Sequence, residues 1–169
     1  MSDLIVDGAH PVSGTIRPSG NKNAVLPMLC ATLLTEDEVT LTNVPEISDI
    51  DKLVEYFKSK GSRVERDLAA QTLVIQHDFE AFATSDAELP VGIRAAVLLL
   101  APVLMRSEHL IFDTEAKGCA LGVREIDPHL EILERFGGTI AATHPYRIER
   151  RNEICGADLW PDYASVTAT

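Results

Sequence analysis

The sequence predicts a mixed α/β protein assembled from repeated α+β units, and three observations carry that expectation. Short β-rich runs alternate with amphipathic helical ones. The segment from Ile50 to Val64 aligns without gaps to Ile126 to Ile140, so one helix–glycine–strand module occurs twice. A further pair of helical segments, Lys22 to Ala31 and Arg94 to Val103, superimposes in the same order. With 169 residues, 46% of them hydrophobic, the chain can bury the core of one ordinary domain.

In the first copy, the run Gly-Asn-Lys-Asn-Ala-Val-Leu-Pro opens a helix at Lys22. A strand is expected over Val39 to Val44, then an amphipathic helix over Ile50 to Lys60 stopped by Gly61, then strands over Arg63 to Glu65 and Thr72 to Gln76. The second copy repeats this with a helix from Arg94, a strand over His109 to Asp113, a helix over Asp127 to Phe136 stopped by Gly137, and a strand over Thr139 to Ala141. Between the copies Asp51 matches Asp127 as an expected N-cap, Phe57 matches Leu133 on the apolar stripe, and Gly61 matches Gly137 as the stop. After Gly156 a third copy starts, with Pro161 to Thr167 standing where the first has Pro18 to Ala24. The chain stops inside that expected helix, which predicts a longer natural polypeptide. A period of roughly 70–75 residues exceeds the usual solenoid repeats and implies copies of one unit packed around a common centre.

Composition excludes several classes of function. A formal net charge of -11 and a pI near 4.8 argue against a broad basic surface for nucleic acid or anionic membrane. A small anionic ligand stays open, since it needs only a few cations gathered locally. No apolar run approaches the roughly 20 residues of a membrane helix, and Met1 to Gly8 lack the pattern of a signal peptide, so a cytoplasmic protein is expected. The cysteines Cys30, Cys119 and Cys155 are odd in number and form no CxxC pair, which suggests neither a disulfide framework nor a zinc site.

Candidate chemistry gathers at helix starts and in one loop. Helix N-termini offer free N–H groups and a positive dipole end to an anion, and Lys22 and Arg94 add full charges at equivalent starts. A cation there opposes the dipole unless an anion compensates. The connection Asp113 to Asp127 is six residues longer than Asn43 to Asp51, and it holds Lys117-Gly118-Cys119-Ala120-Leu121-Gly122-Val123-Arg124. A cysteine flanked by Gly118, with Lys117 and Arg124 close by, sits in an electropositive setting that favours thiolate. Cys30, on an apolar helix, and Cys155 read instead as small buried hydrophobes. His129 reads as a capping or acid–base residue, with the structural role ahead; His10, His77, His109 and His144 carry no spacing signal.

Taken together, Gly20-Asn21-Lys22-Asn23-Ala24, Arg94, the Cys119 loop, Asp127 with His129, and the ending Ser165-Val166-Thr167 resemble the UDP-N-acetylglucosamine 1-carboxyvinyltransferases. The resemblance runs along the whole chain. It implies a two-domain enolpyruvyl transferase with an inside-out α/β barrel of β-α-β-α-β-β units. Residues 1–21 would then supply initial strands of the partner domain, and residues 22–169 about two thirds of the second domain, with repeats at roughly 22–80 and 81–152 and a third starting at 153–169. It further implies that Lys22 and Arg124 hold the phosphate of phosphoenolpyruvate, that Arg94 adds positive potential, and that Asn23 contacts the reacting sugar. Cys119 would protonate C3 of phosphoenolpyruvate and react with fosfomycin. Arg124, Asp127 and the Ser165-Val166-Thr167 segment would bind the uridine nucleotide. No metal or organic cofactor is implied.

The chain departs from that pattern at three places: Glu125 where proline follows the arginine, Thr167 where glycine is usual, and Ala116-Lys117-Gly118-Cys119 in place of Pro-Gly-Gly-Cys. These changes suggest a paralogue with another uridine-containing acceptor as an alternative. The shikimate-pathway branch of the fold is disfavoured because it lacks the cysteine loop. A non-catalytic binding module is the reading from a different class, because 169 residues lack the partner domain.

Overall fold

The computed structural model describes residues 3–85, 88–113, 126–151, 154, 156–161, 165, 167 and 168, and of Arg94 the backbone only. The elements follow as α1 (Lys22–Ala31) continued by a 3-10 turn (Thr32–Leu34), β1 (Val39–Leu41), α2 (Ser48–Ser59), β2 (Arg63–Asp67), β3 (Thr72–Gln76) and α3 (Phe79–Thr84). A second 3-10 stretch (Arg94–Leu99) leads into α4 (Leu100–Arg106), β4 (His109–Phe112), α5 (Asp127–Arg135), β5 (Gly138–Thr143) and β6 (Tyr146–Arg150). Each copy is thus a helix, a strand, a helix and two strands. Each forms a three-stranded antiparallel sheet with its last strand in the middle, ordered β1-β3-β2 and β4-β6-β5. The mixed α/β repeat read from the sequence is therefore present in element order, and the structure adds β6 and the sheet order the two copies share.

One apolar core runs through both copies. Leu29 and Leu33 from the α1 region, Ile50, Leu53 and Phe57 from α2, and Leu73 and Ile75 from β3 share it with Leu99, Leu100, Leu110 and Ile148 of the second copy. The 3.6-residue spacing of Ile50, Leu53, Val54 and Phe57 turns one face of α2 onto its sheet, while Asp51, Glu55 and Lys58 face water. Arg106 of α4 ties the copies together: its Nε donates to the Leu33 carbonyl at 2.8 Å, and its guanidinium lies 3.5 Å from the Phe79 ring centroid.

Both expected helix stops are made as anticipated. Gly61 has φ +87° and Gly137 φ +106°. At the end of α2 the Ser62 N–H donates to the Phe57 carbonyl (3.0 Å) and the Gly61 N–H to that of Lys58 (3.1 Å), satisfying carbonyls the helix would leave unpaired. Other boundaries differ for local reasons. α2 starts at Ser48, so Asp51 lies inside its first turn, and Asp127 is the first residue of α5; neither is the N-cap, and both act on the helix dipole as first-turn acids. β1 ends at Leu41 because Asn43 takes a left-handed φ of +56° and Pro45 follows. The helix expected over 94–103 is a 3-10 stretch followed by α4, whose start at Leu100 puts Pro102 in a first turn, where its missing N–H is tolerated. No strand forms within residues 3–20, where Leu4, Ile5, Val6, Val12 and Ile16 are largely exposed; a lone strand is unstable without paired neighbours, and none pairs with this segment among the described residues. No helix among the described residues is long and apolar enough to cross a membrane.

Candidate active site

The start of α1 is built with care for its N–H groups. Asn21 is extended (φ -96°, ψ 130°), its side chain accepts from the Asn23 N–H at 2.7 Å, and its carbonyl accepts from Ala24 and Val25 at 3.1 Å each. Gly20 presses against the connection between β1 and α2: a Cβ there would lie 1.9 Å from the Asn43 carbonyl oxygen and 2.8 Å from Pro45 Cδ. Only glycine brings this backbone so close, which seats α1 beside α2. Helix α1 carries no acid in its first turn, whereas α2 has Asp49 and Asp51 and α5 has Asp127. Lys22 stands where those helices place acids, and its ammonium is met by Asp49 Oδ2 at 2.5 Å. The pair is partly open to solvent, Lys22 being 47% and Asp49 21% exposed, so an incoming anion has access to the ammonium. Asn23 is exposed on the same turn.

One turn further along α2, Lys52 Nζ donates to the Gly92 carbonyl at 3.1 Å, two residues ahead of Arg94. The first turns of α1 and α2 and the approach to Arg94 are therefore neighbours, and two of the expected cation positions come from equivalent starts of the two copies. A separate group forms at α5. Asp127 is exposed at its first position, and His129 Nε2 lies 3.2 Å from Thr167 Oγ1, which is 3.4 Å from Ser165 Oγ. Of the expected nucleotide residues, Ser165 and Thr167 thus lie beside His129, on the helix that Asp127 opens. Neither Lys22 nor Asn23 shares a hydrogen bond or ion pair with that group among the described residues. Cys119, Lys117, Arg124 and Glu125, together with Val166 and Cys155, lie outside the described residues, as does the side chain of Arg94.

Cys30 is buried, and desolvation pushes its thiol up to about 12, which suits the structural role expected of it. His77, which carried no signal in sequence, is the buried polar centre of the first copy. Its Nε2 lies 2.8 Å from Thr32 Oγ1 and its Nδ1 2.7 Å from Ser62 Oγ. Thr32 spends its hydroxyl proton on the Leu29 carbonyl at 2.7 Å, so Nε2 is the protonated nitrogen and Nδ1 accepts from Ser62. Burial, aided by the Arg106 charge, lowers the imidazole to about 4. Asp49 and Lys52 also went unremarked in sequence: a first-turn aspartate reads as an ordinary dipole partner, and a lysine on the wet face of a helix carries no signal at all.

Residues 6–169 match the model of the EPSP synthase (3-phosphoshikimate 1-carboxyvinyltransferase) family, and the chain belongs to that family. Two solved structures show the fold: the enolpyruvyl transferase NikO from Streptomyces tendae (TM-score 0.65, 24% identity, 84% of this chain and 31% of that one) and the EPSP synthase from Acinetobacter baumannii (TM-score 0.70, 16% identity, 92% and 36%). In sequence the chain is similar to the UDP-N-acetylglucosamine 1-carboxyvinyltransferases of Bradyrhizobium diazoefficiens (44% identity, 98% of this chain, 38% of the relative) and Acidobacterium capsulatum (36%, 100% and 39%). The resemblance read from the residues is thereby supported along the whole chain. The chain spans about two fifths of the length of these relatives.

Proposed function

We propose that the polypeptide carrying this chain transfers the enolpyruvyl group of phosphoenolpyruvate to the 3-hydroxyl of UDP-N-acetylglucosamine, releasing phosphate, as a cytoplasmic step of peptidoglycan precursor synthesis. The observation that carries this reading is the start of α1, where a capped helix presents Lys22 and Asn23 with no first-turn acid. Relatives bearing that enzymatic name match the full length of the chain. The inside-out barrel, with residues 1–21 serving a partner domain and 22–169 most of a second one, is part of the same proposal, supported by two copies with identical sheet order.

In this mechanism Lys22 and Arg124 neutralise the phosphate of phosphoenolpyruvate at the dipole end of α1, and Arg94 adds positive potential. Cys119 gives a proton to C3, which makes C2 electrophilic, and the sugar 3-hydroxyl attacks C2 as it loses its own proton. Loss of a C3 proton and of phosphate from C2 restores the double bond, so the sum is phosphoenolpyruvate plus alcohol giving enol ether plus phosphate. Domain closure excludes water and strengthens the cation–phosphate interactions. Asp127 and the Ser165-Val166-Thr167 segment receive the uridine nucleotide.

A related uridine nucleotide as acceptor is the second reading. It is favoured by Thr167, whose hydroxyl reaches His129 at 3.2 Å where the resemblance expects glycine. Phosphate release from phosphoenolpyruvate, measured on the polypeptide as its gene encodes it, tests both. Release that requires UDP-N-acetylglucosamine supports the first, release that requires only another uridine nucleotide supports the second, and no release with any of them overturns both. Fosfomycin should alkylate the parent protein and leave a Cys119→Ser variant unmodified by mass spectrometry.

A further inference from the structure

We propose that Lys52 is a positioning residue for the cations of the phosphate site: by holding the Gly92 carbonyl it sets the start of the Arg94 stretch against the same turn of α2 that holds Lys22 through Asp49. The inference rests on the reading of Lys22 as a cation that holds the phosphate and of Arg94 as one that adds positive potential there.

The two cation-bearing starts are equivalent in the repeat but are not built alike. At the first, Asn21 caps α1 with its own side chain and Gly20 packs on the β1–α2 connection. At the second, the residue before Arg94 is Ile93, which is buried and makes no side-chain cap. The approach is a turn at Val91-Gly92, with Gly92 at φ +77°, a conformation that glycine adopts freely. A start without a cap, entered through a glycine, gains its definition from outside, and the bond from Lys52 Nζ to the Gly92 carbonyl at 3.1 Å is the tie the structure provides. Asp49 precedes Lys52 by three residues and therefore lies on the same face of the helix. One turn of α2 thus reaches α1 through Asp49–Lys22 and the second copy through Lys52–Gly92. Misplacing a binding group by a fraction of an ångström weakens the interactions it makes with its substrate.

The test is steady-state phosphate release by the polypeptide as encoded, with phosphoenolpyruvate varied at saturating UDP-N-acetylglucosamine. Lys52→Met should raise KM for phosphoenolpyruvate about fivefold with kcat changed less than about twofold. Lys52→Arg, which can still donate to the carbonyl, should return KM to near the parent value. Lys58→Met, the same charge change at the other end of α2, should behave as the parent. The effect should persist at high salt, where a mere long-range charge effect would fade, and melting temperatures should stay together. A parent-like KM for Lys52→Met, an equal effect from Lys58→Met, a failure of arginine to restore KM, or a loss of the effect in salt would each overturn the inference while leaving the proposed function standing. A parent protein that releases no phosphate would overturn the proposed function, and this inference with it.

Discussion

Acid should weaken this fold through His77 before it protonates most of the carboxylates. The ring is buried between Thr32 and Ser62, packs edge-on against Phe57 at 5.1 Å, and is held neutral with its pKa lowered from 6.5 to about 4. Between those values the unfolded chain binds a proton at residue 77 that the folded chain refuses, so stability falls as pH drops through 6.5 and levels off below about 4. At about 1.4 kcal/mol per pKa unit, discounted for residual screening by water, the loss between pH 7 and 4.5 is about 2 kcal/mol. Protonation would also require Nδ1 to donate, turning the Ser62 hydroxyl away from its present role. A His77→Gln variant has no such titration, so its stability relative to the parent should improve by about that amount across the same interval in urea unfolding. NMR titration of the imidazole supplies the direct readout. A His77 that titrates near 6.5 in the folded protein, or a parent–variant gap that does not move with pH, would refute the reasoning.

Two further outcomes follow from the contacts between segments. Arg106→Leu removes the bond to the Leu33 carbonyl and the stacking on Phe79, and should cost about 1–3 kcal/mol while letting the His77 pKa rise part of the way to its ordinary value, both read by unfolding and NMR titration. Gly20→Ala drives a methyl into the Asn43 carbonyl and must push α1 away from α2, so it should lower the melting temperature and raise KM for phosphoenolpyruvate more than Gly8→Ala, whose added methyl meets nothing within 4 Å.

Much of this protein is written locally. The helix stops at Gly61 and Gly137, the amphipathic face of α2 and the strands around β3 depend on backbone freedom and on which side of a segment is apolar, and these are properties of neighbouring residues. Because the module occurs twice, each copy checks the other, and the shared sheet order follows from one pattern folding the same way twice. Lys22 stood out for a similar reason: a cation at a helix start conflicts with the dipole, and a conflict between neighbours is visible in sequence, whereas Asn23 came only with the family resemblance. What the linear chain could not disclose were contacts between residues far apart in it. His77 is an unremarkable histidine until Thr32 and Ser62 close on its two nitrogens from 45 and 15 residues away. Asp49 and Lys52 are ordinary helix residues until folding brings Lys22 to one and Gly92 to the other. Periodicity and capping act over a few residues and so the sequence alone determined most of the elements, though not α3 or β6, whereas burial, pKa and the partners of Lys22 depend on which surfaces meet, and only the tertiary structure decides that.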